Sequence, residues 1–114
     1  MAKKNLRRVQ PYKRDKIRAR LRAEGRPCWI CEAFGRPAEI DYSLPHLHPG
    51  AFECDELIPV SRGGSPTEYS NLAATHRACN QWRSNRSVEE VLALARKNKH
   101  NTEKNISTSK TWLK

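Results

Sequence analysis

Two short-spaced pairs of soft or borderline metal ligands stand out in this chain, Cys28-x-x-Cys31 and His76-x-x-Cys79. Zn²⁺ takes four such donors in a tetrahedron, and two pairs, each on its own turn or helix entry, are an economical way to supply them. A second group of residues lies between and just after these pairs: Asp55-Glu56, the run Pro59-Val-Ser-Arg-Gly-Gly-Ser-Pro66, then Asn71 and Asn80. The carboxylates and amides of this cluster offer hard oxygen atoms, which suit Mg²⁺ or Mn²⁺ rather than zinc. The pattern thus allows two metals with different work, a structural zinc and a catalytic divalent cation.

Plainer readings exist for each part. The cysteines could be buried thiols or disulfide partners, and Cys28-x-x-Cys31 could be a redox pair. Asn71 could cap a turn, and Asp55-Glu56 could be a solvated strand end. Cys54 is expected in the core, and His46 and His48 in a loop.

The bulk numbers narrow the choice. At 114 residues the chain holds one domain with tails and a small apolar core, a size at which a metal staple is often needed. No apolar run is long enough to cross a membrane, and the basic start Met1-Ala-Lys-Lys-Asn-Leu-Arg-Arg is followed by no apolar signal segment. The expectation is a reducing cytoplasm, where short-spaced cysteines favour metal over structural bridges. The formal charge of +10 is uneven: residues 1–26 carry +9, residues 27–79 carry −4 and residues 80–114 carry +5. Basic flanks around an acidic centre suit a protein that grips a polyanion while holding a cation, although basic tails also serve solubility alone.

Three segments follow: a basic N-terminal segment and helix (1–26), a central domain with a C-terminal helix (27–99), and a polar tail (100–114). Lys13–Glu24 reads as a helix with a thin stripe of Ile17 and Leu21, stopped by Gly25. Cys28–Cys31 reads as a tight turn, and residues 33–50 as a loop-rich excursion with a short strand near Ile40 and Tyr42. Ala51–Ile58 reads as a strand with Phe52, Cys54 and Ile58 inward, and Asn71–Thr75 as a second strand or extended piece. A helix is expected from Thr75 or His76 to about Asn85. A further one begins at Ser87, with Glu90 completing a capping box and Val88, Val91, Leu92 and Ala95 on one face. From Lys97 onward the chain reads as polar and loose, with Trp112 a candidate for docking.

The order Asp55-Glu-Leu-Ile-Pro-Val-Ser-Arg-Gly-Gly-Ser, Asn71-Leu, His76-Arg-Ala-Cys79-Asn80, Arg83, Arg86 resembles the HNH endonucleases, in particular small phage-type members. The resemblance covers about residues 28–86. It implies an α+β fold: a small zinc-stabilised ββα-metal domain, treble-clef-like, with flanking N- and C-terminal helices. Cys28, Cys31, His76 and Cys79 then hold structural Zn²⁺. Asp55 and Asn80 hold catalytic Mg²⁺ or Mn²⁺, Glu56 takes the general-base position, and Asn71 is the middle Asn. The activity implied is hydrolysis of phosphodiester bonds in double-stranded DNA, by nicking or double-strand cleavage, in the host cytoplasm for a phage protein. Subunits of the packaging terminase are the implied partner, and no membrane is involved.

The family usually has His where this chain has Glu56. His accepts a proton near neutrality, whereas a carboxylate is a weaker base that repels an incoming phosphate. Glu56 therefore reads as a base, as a further metal ligand, or as the mark of a degenerate member that binds DNA without cutting it. Lys13, Arg14, Arg18, Arg22, Arg62, Arg77, Arg83 and Arg86 are the candidate phosphate contacts, which give affinity and little sequence information.

Overall fold

The computed structural model describes residues 11–104, with side chains to residue 98. Helix α1 spans Pro11–Ala23 and α2 spans Trp29–Phe34. Strands β1 (Phe52–Glu56) and β2 (Leu72–His76) form a two-stranded antiparallel sheet. Helix α3 (Arg77–Arg83) follows β2 directly, and α4 (Val88–Lys104) closes the order. Short 3-10 turns at Val60–Arg62 and Tyr69–Asn71 bracket the loop between the strands. A small α+β fold is thus as expected.

The pairing register sets which residues share a face: Phe52 opposes His76, Cys54 opposes Ala74, and Glu56 opposes Leu72. Since side chains alternate, Glu53 and Asp55 belong to the other face with Ala73 and Thr75. The first face packs on α1, where Leu21 is buried with Phe52, Cys54, Leu72 and Ala74. The second meets α2 and α3. A second apolar cluster joins Cys28, Ile30, Cys31 and Cys79 to Val91 of α4. Two small cores in place of one large one are what a chain of this length can build.

Several expectations need correcting. Cys28–Cys31 is not a bare turn; Cys28 is the N-cap of α2, its sulfur accepting from the Cys31 N–H at 3.5 Å. Gly35 ends that helix in the left-handed region at φ 70°, as a C-cap glycine does. No strand forms near Ile40 and Tyr42 among the described residues; both side chains pack on the first core from irregular backbone. Ile58 is exposed because β1 ends at Glu56, before it. Helix α3 begins at Arg77 with His76 as N-cap and stops at Arg83, short of Asn85. The capping box forms: the Ser87 hydroxyl accepts from the Glu90 N–H at 3.0 Å, and Glu90 Oε1 accepts from the Ser87 N–H at 2.8 Å. Val91 and Ala95 are buried as expected, whereas Leu92 lies on the exposed side. Helix α4 runs on to Lys104, past the point where the sequence turns polar, because Arg, Lys and Glu are good helix formers. Residues 1–10 and 105–114, including Trp112, lie outside the described residues.

Candidate metal corner and carboxylate pocket

The four predicted zinc ligands converge. The donor atoms of Cys28, Cys31, His76 and Cys79 all lie within 4.8 Å of one another. Cys31 Sγ is 3.4 Å from His76 Nδ1 and 3.6 Å from Cys79 Sγ, and Cys79 Sγ is 3.9 Å from His76 Nδ1. Tetrahedral zinc, with sulfur at about 2.3 Å and nitrogen at about 2.0 Å, sets ligand-to-ligand edges of about 3.5–3.8 Å. The cluster therefore has the dimensions to hold that ion. The pair on α2 comes from its N-cap and first turn, the other from the last residue of β2 and the first turn of α3.

The surroundings complete the donor set. His76 Nε2 lies 2.9 Å from the Glu39 carbonyl, which fixes the proton on Nε2 and leaves the Nδ1 lone pair facing the sulfurs. Arg36 donates to Cys31 Sγ at 3.4 Å and to Cys79 Sγ at 3.6 Å. The Cys31 thiol is held down to about 3, chiefly because Cys28 and Cys79 hydrogen-bond to it and also because Arg36 lies beside it; Cys28 and Cys31 in turn push Cys79 up. Three sulfurs this close ionise together only when a cation sits between them. Neither Arg36 nor Glu39 carries a spacing signal that would have marked it in the sequence.

Cys79 and Asn80 are neighbours on α3, so their side chains diverge by about 100°. Cys79 faces the sulfur corner, while Asn80 lines a pocket of about 180 Å³ together with Arg14, Cys54, Asp55, Glu56, Pro59, Arg83 and Ser84. Asp55 and Glu56 point to opposite faces of β1, as strand geometry demands, yet both reach this pocket. It opens along the edge of β1 away from β2, where the carbonyls of Cys54 and Glu56 accept from Arg14 at 3.1 Å and Arg83 at 3.1 Å.

Within the pocket each carboxylate has a guanidinium partner. Asp55 Oδ2 accepts from Arg83 at 2.5 Å and from the Trp29 indole N–H at 2.9 Å. Glu56 Oε2 accepts from Arg14 at 3.2 Å. Burial pushes the Asp55 carboxyl up, and Trp29 and Arg83 draw it back down. Asp55 Oδ1 accepts no hydrogen bond from any described residue, although the side chain is only 9% exposed. Asn80 Nδ2 donates to Glu53 Oε1 at 3.0 Å, and its Oδ1 is likewise uncommitted among the described residues. Carboxylate and amide oxygens of this kind are hard donors, the type a small divalent cation takes.

Two candidate residues are placed elsewhere. Asn71 does not line the pocket: its Oδ1 accepts from the Ile58 N–H at 2.9 Å, and its Nδ2 donates to the carbonyls of Ile58 and Ser65, each at 2.9 Å. It clamps the glycine-bearing loop between the strands. Arg83 is no phosphate contact, being 2% exposed with its donors spent on Asp55 and the carbonyls of Glu56, Leu57 and Arg86. An arginine late in a short helix reads as solvated until the sheet is known to lie beneath it.

The other basic candidates are spread over the surface. Arg14 is turned inward on Glu56, Cys54 and Pro66, and Arg18 lies over the Phe52 ring. Arg22 donates to the Tyr42 carbonyl and Arg62 to that of Asn85; Arg77 pairs with Glu53 at 3.6 Å; Arg86 stacks on Trp82. Lys13, Arg22 and Arg62 are exposed. Glu53, absent from the predicted set, is the residue the strand period could have found, since it stands two positions before Asp55 on the same face. No helix among the described residues is long and apolar enough to cross a membrane. Comparisons with protein-family models, curated proteins and solved structures return no match.

Proposed function

We propose that this chain is a zinc-stapled HNH-type endonuclease that hydrolyses DNA phosphodiester bonds with Mg²⁺ or Mn²⁺. The observation that carries the reading is that Asp55, Glu56 and Asn80, drawn from a strand and a helix, line one pocket beside a Cys3His corner able to hold zinc. A divalent cation in that pocket supplies charge neutralisation of the phosphate and stabilises the leaving 3′ oxygen. Asp55 Oδ1 and Asn80 Oδ1 are the oxygens that would hold it. Trp29 and Arg83 keep the Asp55 carboxylate from turning, and Glu53 keeps the Asn80 amide from flipping. Glu56, which lines the same pocket, would take the proton of the attacking water. Exposed Lys13, Arg22 and Arg62 supply positive charge for the DNA backbone without reading its sequence. A place in phage genome packaging, beside terminase subunits in the host cytoplasm, follows from the sequence resemblance.

One observation favours a second reading. Among the described residues each carboxylate carries an intramolecular guanidinium that offsets its charge, as expected of an accessory DNA-binding module that has lost cleavage. Supercoiled plasmid with Mg²⁺ or Mn²⁺ separates the two. Nicking that Asp55→Asn and Asn80→Ala abolish supports the nuclease; DNA binding without nicking supports the module. Glu56→His then sorts the role of Glu56: a faster enzyme assigns that position to the base, and an inactive one assigns it to the metal.

A further inference from the structure

Trp29 stands between two of the sulfur ligands and reaches out of that corner. Cys28 is the N-cap of α2 and Cys31 lies on its first turn, so the backbone of Trp29 is pinned from both sides. Its indole N–H donates to Asp55 Oδ2 at 2.9 Å, across 26 residues of sequence. The Arg83 guanidinium carbon lies 5.3 Å from the centre of the indole ring, and Arg83 donates to the same Asp55 oxygen. Packing alone would ask only for a ring here. What the N–H adds is direction: two donors on Oδ2 fix the carboxylate plane and leave Oδ1 for the pocket. Carboxylate ligands held this way by an outer hydrogen bond bind their metal more tightly, commonly by 10–100-fold.

We propose that Trp29 is a positioning residue of the carboxylate pocket, tying the orientation of the Asp55 carboxylate to the Cys3His corner. This rests on the reading of the pocket as a divalent-metal site. The indole body packs against the cluster of Cys28, Cys31 and Cys79, while its N–H reaches out to the pocket carboxylate.

The test measures Mn²⁺ affinity of the zinc-loaded full chain from the electron paramagnetic resonance signal of free Mn²⁺. Trp29 is replaced by benzothienylalanine, which keeps the bicyclic ring and lacks the N–H, and separately by Phe (Trp29→Phe). The expected result is at least a roughly tenfold weaker Mn²⁺ affinity in both variants with zinc still stoichiometric. A residue that only fills space would leave the benzothienylalanine protein unchanged, so wild-type Mn²⁺ affinity in that variant overturns the positioning role. Wild-type protein that binds no Mn²⁺ overturns the metal-site reading and this inference with it. Wild-type binding with unaltered variants overturns this inference alone.

Discussion

The sulfur corner and the carboxylate pocket share strands and helix α3, and Cys79 and Asn80 even stand side by side, yet they balance charge in opposite ways. In the corner, among the described residues, three cysteines and an imidazole converge beside the Arg36 guanidinium. Such a set is stable as thiolates only around a dication. In the pocket, among the described residues, each of the two carboxylates meets a guanidinium, so these charges offset one another before anything binds. A cation entering there must rely on the uncommitted oxygens of Asp55 and Asn80 and compete with Arg83 and Arg14. Convergence of donor atoms therefore does not rank the two sites; the charge left over after internal pairing does. The corner has donors that call for a cation, whereas the pocket's carboxylates already have guanidinium partners.

Removing a corner ligand should produce the largest effect. Structural zinc in small domains contributes on the order of 10 kcal/mol at neutral pH. Cys79→Ser, or chelation of the wild type, should abolish the cooperative thermal transition seen by circular dichroism. A variant that still melts cooperatively without zinc would show that Ile30 and Val91 hold the corner by packing alone, and the contrast drawn above would fail.

The pocket should respond to loss of a protein partner instead. Arg83→Met leaves Asp55 buried without its guanidinium, and breaking a buried pair from one side costs about 3–5 kcal/mol. Urea unfolding at neutral pH reads this directly. The pH dependence has a defined sign. Burial holds the Asp55 carboxyl above its ordinary value, so the folded state binds that proton more tightly than the unfolded chain does. Its contribution to stability is greatest below the ordinary carboxylate range and declines as pH rises through the raised value. Without Arg83 the upward push is stronger, so the penalty of Arg83→Met should shrink as pH is lowered. A penalty that does not change with pH would mean that Asp55 carries no charge in the folded protein.

The sequence announced ligand types better than their partners. Spacing alone located Cys28, Cys31, His76 and Cys79, because zinc geometry constrains neighbours within a turn. The Ser87–Glu90 box was legible for the same reason, as were the inward Phe52 and Cys54, whose alternation is local. What joins residues far apart in the chain was not legible. Trp29 on Asp55, Arg83 beneath the sheet and Arg14 on Glu56 depend on how α1, α2 and α3 cross the strands, and no local period encodes that. Residues 33–50 show the converse failure. Ile40 and Tyr42 look like a strand by side-chain type, but the core takes them from irregular backbone.

A smaller effect should come from the loop beside the pocket. Asn71→Ala removes three hydrogen bonds that hold Ile58 and Ser65, at a cost of about 2–3 kcal/mol in thermal or urea unfolding. Gly64→Ala should disturb the same loop, since an added Cβ would lie 1.7 Å from the Ile58 carbonyl oxygen. Both should leave zinc content untouched, because none of these contacts touches the corner. Loss of zinc in Asn71→Ala would instead join the loop to the sulfur site and blur the division between the two regions.

The smallest change tests the division from the other side. Ser87→Ala removes the N-cap of α4 and should cost about 1 kcal/mol. Glu90, held below its ordinary value by the Ser87 N–H and hydroxyl, supports this helix start above the ordinary glutamate range and stops doing so as pH falls through its lowered value. Helix α4 reaches the corner through Val91, which packs with Cys28, Cys31 and Cys79. A looser first turn should therefore speed transfer of zinc to a competing chelator, while Mn²⁺ affinity at the pocket stays at its wild-type value. Equal losses at both sites would mean that α4 braces the sheet as a whole, and that the two regions open as one unit.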